Sequence, residues 1–174
     1  LSPESRRRRF FTQAAPPDAV IGRLSDAHDP ARALTLIVDR QVSNDLRPIA
    51  TASYIALNDK LAEVAFAVDD RFQGKGLGSA LLERLAVIAA RHGFERFQAT
   101  TLIENAPMLE VFRDSGFEIR SKSAAGCVEL QLSLTPSAEG VRSAEERDRR
   151  ATAASLAPLL APRAVAIVGA SREP

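Results

Sequence analysis

The sequence predicts a mixed α/β domain in which a mostly antiparallel sheet is flanked by helices. Two observations predict it. Apolar strand-like stretches recur between Ala33 and Leu134, and a strand, a glycine loop and an amphipathic helix follow one another at the centre of that span. A chain of 174 residues, 45% of them hydrophobic, suffices for one such domain with a core, plus a tail.

Ser2-Pro3-Glu4-Ser5 has the form of a helix start with proline in the first turn, so a helix is expected through Arg6 to Phe11. A second is expected around Pro17 to Leu24, opened by Pro16-Pro17-Asp18. Ala33 to Arg40 and Pro48 to Leu57 read as two antiparallel strands joined by a polar loop at Ser43-Asn44-Asp45, and Asn58-Asp59-Lys60 turns the chain into a third strand, Leu61 to Val68. From Ser79 to His92, Leu81, Leu82, Leu85, Ile88 and Ala89 recur at helical spacing, and Gly93 stops the helix. Phe94 to Leu102 then reads as a strand, Pro107 to Asp114 as a short helix, Gly116 to Arg120 as a strand and Cys127 to Leu134 as the last strand.

Beyond Thr135 the character changes. The charge-dense stretch Arg142 to Arg150 reads as a partly helical linker, Ala154 to Leu160 as a short helix, and Ala164 to Ser171 as a buried strand entering a second glycine turn. The expected division is a domain over 1–135, a linker over 136–161 and the start of a further domain over 162–174.

Composition excludes several classes. A net charge of +1 supplies no general basic field, so neither nucleic acid nor an anionic membrane is implied. The single cysteine, Cys127, has no internal disulfide partner and no signal peptide opens the chain, which fits a reducing cytoplasm. Pro158, Pro162 and Arg163 break the apolar tract from Ala153 to Val168, so it is not a membrane span. Two distant histidines and one cysteine make no metal cluster, so no metal is expected.

The loop Arg71-Phe72-Gln73-Gly74-Lys75-Gly76-Leu77-Gly78, between the third strand and the central helix, has the chemistry of an anion cradle. Glycines let backbone approach a ligand, and the N–H groups and dipole of a helix start attract phosphate. A Walker loop would end in Gly-Lys-Ser/Thr, whereas Gly78 is followed by Ser79-Ala80. A dinucleotide fingerprint would need glycine at Ser79 and an acid on the next strand, where Arg96 to Thr101 carries none beyond Glu95 at the start. What is left is Gln-x-x-Gly-x-Gly, read as Gln73, Gly76 and Gly78, or a strand-to-helix turn with no ligand.

That spelling resembles the acyl-CoA pyrophosphate loop of the GNAT superfamily of N-acetyltransferases. The resemblance covers roughly Ala33 to Leu134 and implies acetyl-CoA as co-substrate, with the N–H groups from Gln73 through Gly74, Lys75, Gly76, Leu77, Gly78 and Ser79 facing its phosphates. It also implies a sheet splayed beside the third strand, leaving backbone near Val68 free for the pantetheine arm and the thioester carbonyl. Asn105 with Met108, Val111 and Phe112, running into Gly116-Phe117, resembles the family's second pantetheine-contacting motif. The family's usual N-terminal strand and helix would belong before Leu1, making this chain an excerpt.

Glu63 lies on a strand otherwise apolar on both faces, so it is either a solvated residue near the sheet edge or a base placed in a cleft. Partial desolvation by Val64, Ala65 and Phe66 would raise its pKa, as a base acting on an ammonium requires. In similar enzymes the Glu of an Ala-Glu-Val-Ala-Phe-like strand is the catalytic base, and Ala62-Glu63-Val64-Ala65-Phe66 has that form. Many of the family place a tyrosine, as acid for the leaving thiolate, where this chain has Phe112. A thiol of pKa about 8.5 leaves tolerably without one.

The remaining polar residues have plainer readings. Arg6 to Arg9 read as a solvated helix face, His92 as a helix-end cap, His28 as a loop residue, Asp69 and Asp70 as turn formers and Cys127 as core. Leu1 to Phe11 nevertheless resembles the helix ahead of the core in Pat-type bacterial protein lysine acetyltransferases, and Pro162 to Ser171 resembles the first strand and loop of the CoA-binding domain of ADP-forming acyl-CoA synthetases. Together these imply a lysine acetyltransferase whose protein partners are acyl-CoA or acetoacetyl-CoA synthetases. A small-molecule amine acetyltransferase and a non-catalytic acyl-CoA sensor stand as alternatives.

Overall fold

In the computed structural model, residues 1–12, 14, 17–19, 22, 29–135 and 149 are described. By compactness the chain divides into Leu1–Ser137 and Ala138–Pro174, and all elements below belong to the first unit. Except for Arg149, the expected linker and the strand at 164–171 lie outside the described residues, as does His28. Of the expected second helix, Asp18, Ala19 and Gly22 are helical and most of the rest lies outside them.

Helix α1 (Pro3–Phe10) starts where the sequence places it. Ser2 caps it by accepting from the Ser5 N–H at 3.1 Å, Pro3 occupies the first turn, and Phe11 ends it in the left-handed region at φ 58°. Strands β1 (Ala33–Val42), β2 (Asp45–Asn58) and β3 (Leu61–Val68) form the expected antiparallel meander. The β1–β2 connection is tighter than expected: pairing reaches Val42 and Asp45, and Ser43 takes φ 57° in a two-residue turn.

After a 3₁₀ turn (Asp70–Phe72), helix α2 (Leu77–Arg91) begins two residues before the expected Ser79. Gly76, at φ 80°, is its N-cap, and Leu77 already packs on the core. His92 is the C-cap residue, exposed, followed by Gly93 at φ 92°. Strand β4 (Arg96–Leu102) starts later than expected because Glu95 and Arg96 spend their N–H groups on the Lys60 carbonyl. Helix α3 (Ala106–Arg113) precedes β5 (Ile119–Ala124) and β6 (Cys127–Ser133). β5 also starts later than the expected Gly116: Gly116 turns at φ 77° and the Ser115 hydroxyl donates to the Phe112 carbonyl at 2.5 Å, so the chain is still rounding the helix end.

The sheet order is β1-β2-β3-β4-β6-β5, with β3 and β4 the parallel pair. Alternation sorts the residues. On β2 and β3, Ala52, Tyr54, Ala62 and Val64 face the core with Leu81, Leu82 and Leu85 of α2, and Phe97 and Ala99 join them from β4. Tyr54 meets Phe94 edge-on at 5.5 Å, is fully buried, and donates its hydroxyl to the Pro30 carbonyl at 2.5 Å. Cys127, expected in the core, is half-buried at the start of β6.

Candidate functional site

The parallel pairing of β3 with β4 is short: Leu61 stands against Arg96, Ala62 against Phe97 and Glu63 against Gln98, and there the register ends. Beyond it the strands part around a cavity of about 320 Å³ lined by Val64 to Val68 on one side and Ala99 to Thr101 on the other. The splay expected beside the third strand is therefore present.

Backbone on the β3 side of this gap is oriented by the ladder to β2. The Asp69 N–H donates to the Ile49 carbonyl at 2.8 Å, so Ala50 and Val68 oppose each other at a non-hydrogen-bonded position. Val68, and by alternation Phe66, accordingly turn their N–H and C=O groups away from β2, toward the gap. The Val68 carbonyl there accepts from the Gln73 side-chain amide at 3.1 Å.

The far end of the cavity is the donor loop. Gly74 at φ 68° and Gly76 at φ 80° adopt the left-handed backbone that only glycine takes cheaply, while an added Cβ at either would meet nothing within 4 Å. Conformation, not space, demands glycine at these positions. Gly78 differs: a Cβ there would lie 3.2 Å from Val111 Cγ2, so its absence lets α3 approach the start of α2. Helix α2 has no side-chain cap and no acid in its first turn, and its first internal bond runs from Ala80 N to the Gly76 carbonyl. The N–H groups ahead of Ala80 therefore have no acceptor within the helix, and the dipole adds to their attraction for an anion. This arrangement fits a pyrophosphate.

Two expected donor contacts are corrected. The Gln73 N–H closes the 3₁₀ turn on the Asp70 carbonyl at 3.4 Å, so the open cradle begins at Gly74. Lys75 does not line the cavity; its ammonium lies 5.0 Å from the Phe72 ring centroid, over which Arg40 and Arg71 also stand. Val68, Gln73, Gly74, Gly76, Leu77, Gly78 and Ser79 all line it.

Asn105, Met108 and Phe112 line the opposite wall. Buried Asn105 donates from Nδ2 to Thr101 Oγ1 at 3.0 Å, and its carbonyl accepts from the N–H groups of Met108 and Leu109, which ties β4 to α3. Phe112 is 1% exposed and meets Phe66 edge-on at 6.1 Å. The position expected to lack an acid is thus packed in the core. The chain's one tyrosine does not stand in for it: Tyr54 is fully buried away from the cavity lining and donates its hydroxyl to the Pro30 carbonyl, and burial, with a smaller push from Asp29, raises its phenol to about 12.

Glu63 is exposed and does not itself line the cavity, whereas the next residue, Val64, does. The shielding expected from its apolar neighbours is absent, because Val64 and Phe66 point to the opposite face of the strand. Helix α1 packs on β3, and its Arg9, whose guanidinium stands 4.9 Å from the Phe10 ring centroid, is near enough to feel the Glu63 charge. Burial lowers the Arg9 pKa and the Glu63 charge partly restores it.

Helix α1 corrects a second expectation. Its arginines do not form a free solvated face: Arg8 and Arg9 line the cavity, Arg8 pairs with Glu4 at 3.0 Å, and Arg7 pairs with Glu4 and Glu104. Asp69 is the turn former expected, accepting from the Arg71 N–H at 3.0 Å. Asp70 does more than turn the chain, because it holds Ser2 and Ser5 across 65 or more residues of sequence. No local pattern could have signalled that contact. Among the described residues no three His, Cys, Asp or Glu gather as a metal site, and no helix is long and apolar enough to cross a membrane.

Comparison with known proteins agrees with this geometry. Over 79 residues the chain is 35% identical to "Acetyltransferase Pat" of Mycolicibacterium smegmatis, covering 45% of this chain and 23% of that protein. Over 59 residues it is 37% identical to "Putative phosphinothricin acetyltransferase YwnH" of Bacillus subtilis, covering 34% and 36%. The matches thus span well under half of either relative. Among solved structures, the GNAT domain of S. lividans PAT aligns with a TM-score of 0.64 at 32% identity, covering 76% of this chain and 78% of that one. A cAMP-binding acyltransferase from Mycobacterium smegmatis aligns at 0.55 and 28% identity, covering 78% and 41%. Residues 4–117 match the acetyltransferase (GNAT) family, and with that span and this fold the chain belongs to the GNAT acetyltransferases.

Proposed function

We propose that the domain is an acetyl-CoA-dependent protein lysine N-acetyltransferase of the cytoplasm whose partners are acyl-CoA or acetoacetyl-CoA synthetases, with Glu63 as the base. The observation that carries this reading is the position of Glu63 at the last register pair with Gln98, one residue from the cavity. An exposed carboxylate there suits an amine delivered from outside on a protein surface. Similarity to the Pat relative and to the S. lividans PAT domain supports the protein substrate.

When bound, acetyl-CoA supplies the activated acetyl group. Its pyrophosphate would be held by the N–H groups of Gly74 and of Gly76 to Ser79, and its arm would run along Val64 to Val68, opposite the wall formed by Asn105, Met108 and Phe112. Glu63, through a water that bridges the short distance to the cavity, takes the proton from the lysine ammonium so that a neutral amine attacks. Backbone N–H on the β3 edge near Val68 faces the charge that develops on the thioester oxygen.

A second reading has its own observation. Arg8 and Arg9 line the cavity, which favours a small amine carrying an anionic group, and the YwnH relative has such an activity in its name. One experiment separates the two: incubation with labelled acetyl-CoA, purified acyl-CoA synthetases and a panel of anionic amino acids. Label on a synthetase lysine supports the protein reading. Label only on small amines supports the second, and label on neither contradicts both.

A further inference from the structure

We propose that Asp70 is a positioning residue for acetyl transfer, which through Ser5 clamps α1 between the donor loop and the Glu63 edge of β3. The proposal rests on Glu63 acting as proposed above. Its geometric basis is a closed set of hydrogen bonds between two parts of the chain far apart in sequence. Asp70 Oδ1 accepts from the hydroxyls of Ser5 at 2.7 Å and Ser2 at 2.9 Å, and Oδ2 accepts from the Ser2 N–H at 3.0 Å. Gln73, three residues on in the same loop, donates from Nε2 to Ser5 Oγ at 3.1 Å while also holding the Val68 carbonyl. The buried Ser5 hydroxyl thus gives its proton to one loop residue and accepts one from another.

Arg9 lies four residues beyond Ser5, on the same face and one turn along. It lines the cavity, and α1 packs on β3, the strand that carries Glu63, so a single helical turn runs from the donor loop toward the base, whose charge Arg9 senses. An eight-residue helix has almost no stability of its own, and its placement depends on what holds its ends. Arg7 is held by Glu104, but the N-terminal end is held by Asp70. Without that carboxylate, the N-terminal end of α1 loses its three bonds to the loop, and the helix, with Arg9, is held less firmly against β3.

Asp70→Asn tests this with one near-isosteric change that replaces an accepting oxygen by a donor facing the serines. Hydrogen bonds to a charged acceptor correspond to roughly 10- to 100-fold in an equilibrium, so trypsin should cleave after Arg6 to Arg9 about tenfold faster than in the wild type. The kcat for amine acetylation should fall about tenfold, while the acetyl-CoA Kd from calorimetry should move less than about threefold, since the loop backbone is unchanged. In an Arg9→Gln background, Asp70→Asn should cost nothing further in kcat, because Asp70 acts through the placement of Arg9. Ser5→Ala, which cuts the clamp from the helix side, should reproduce the pattern and serves if the first variant folds poorly. Unchanged cleavage overturns the clamp. Faster cleavage with unchanged kcat, or losses that multiply with Arg9→Gln, overturns the positioning role. If the wild type acetylates no amine, the catalytic reading and the positioning role fail together, while the cleavage rates still report on the clamp.

Discussion

Glu63 and Gln98 are the last residues that β3 and β4 hold in register, and the cavity opens at the next residue, Val64. This pairing gives the carboxylate a fixed place relative to the gap although its side chain is exposed. Two strands that separate after three register pairs leave the β3 edge without strand partners on that side, the kind of unpaired edge an extended ligand completes.

Gly76 tests the donor loop. Because a Cβ would meet nothing but the backbone would be strained at φ 80°, Gly76→Ala should lower stability by about 1–2 kcal/mol without a packing defect. Relief of that strain would turn the first N–H groups of α2 away from the cradle. Denaturant unfolding should show the stability loss, and calorimetry a weaker acetyl-CoA affinity with unchanged stoichiometry.

Tyr54 is the only tyrosine and the chain has no tryptophan, so its ionisation can be followed optically. With the native phenol raised to about 12, absorbance should show no phenolate until well above pH 10 in the folded protein, against about 10 after unfolding. A folded-state pKa raised in this way contributes stability that is complete below the unfolded value and is lost as pH climbs through the native one. Tyr54→Phe should remove this alkaline dependence and, by deleting the bond to the Pro30 carbonyl, cost about 1 kcal/mol at neutral pH.

Asp70 has the opposite linkage. The hydroxyl of Ser5, then the N–H and hydroxyl of Ser2, hold its carboxyl well below the usual carboxylate range. The stability it contributes is present above the unfolded value of about 4 and is lost as pH falls toward the depressed native value. Thermal unfolding midpoints of the wild type and Asp70→Asn should therefore differ near neutrality and converge in strong acid.

How much of this could be read beforehand divides along the range of the interactions. The β3 strand, the glycine loop and α2 follow from local rules of periodicity, positive φ and helix starts, and all three are where the sequence puts them to within two residues. Asn105 and Phe112 reach the cavity wall because Asn105 heads the short helix that carries Phe112. The strand after that helix was harder, since Gly116 and the Ser115 turn delay it in a way apolar pattern does not reveal. Glu63 was correctly placed on β3 but its surroundings were not legible: which face of a doubly apolar strand meets α1 is a tertiary fact. The same holds for Arg8 and Arg9, whose charge suggests solvent and whose helix nevertheless lies against the cavity. Asp70 with Ser2 and Ser5 was invisible, because the contact closes a loop of more than sixty residues.

The central claim, that Glu63 deprotonates the acceptor amine, is tested most directly by steady-state kinetics of Glu63→Gln beside calorimetric titration with acetyl-CoA. Loss of a general base typically costs about 10²- to 10⁴-fold, so kcat for lysine acetylation should fall by that factor while the acetyl-CoA Kd holds within about threefold. Raising the pH should recover part of the lost rate as free amine accumulates toward the lysine pKa of about 10.4. A kcat within a few-fold of the wild type, with acetyl-CoA affinity intact, would contradict the account.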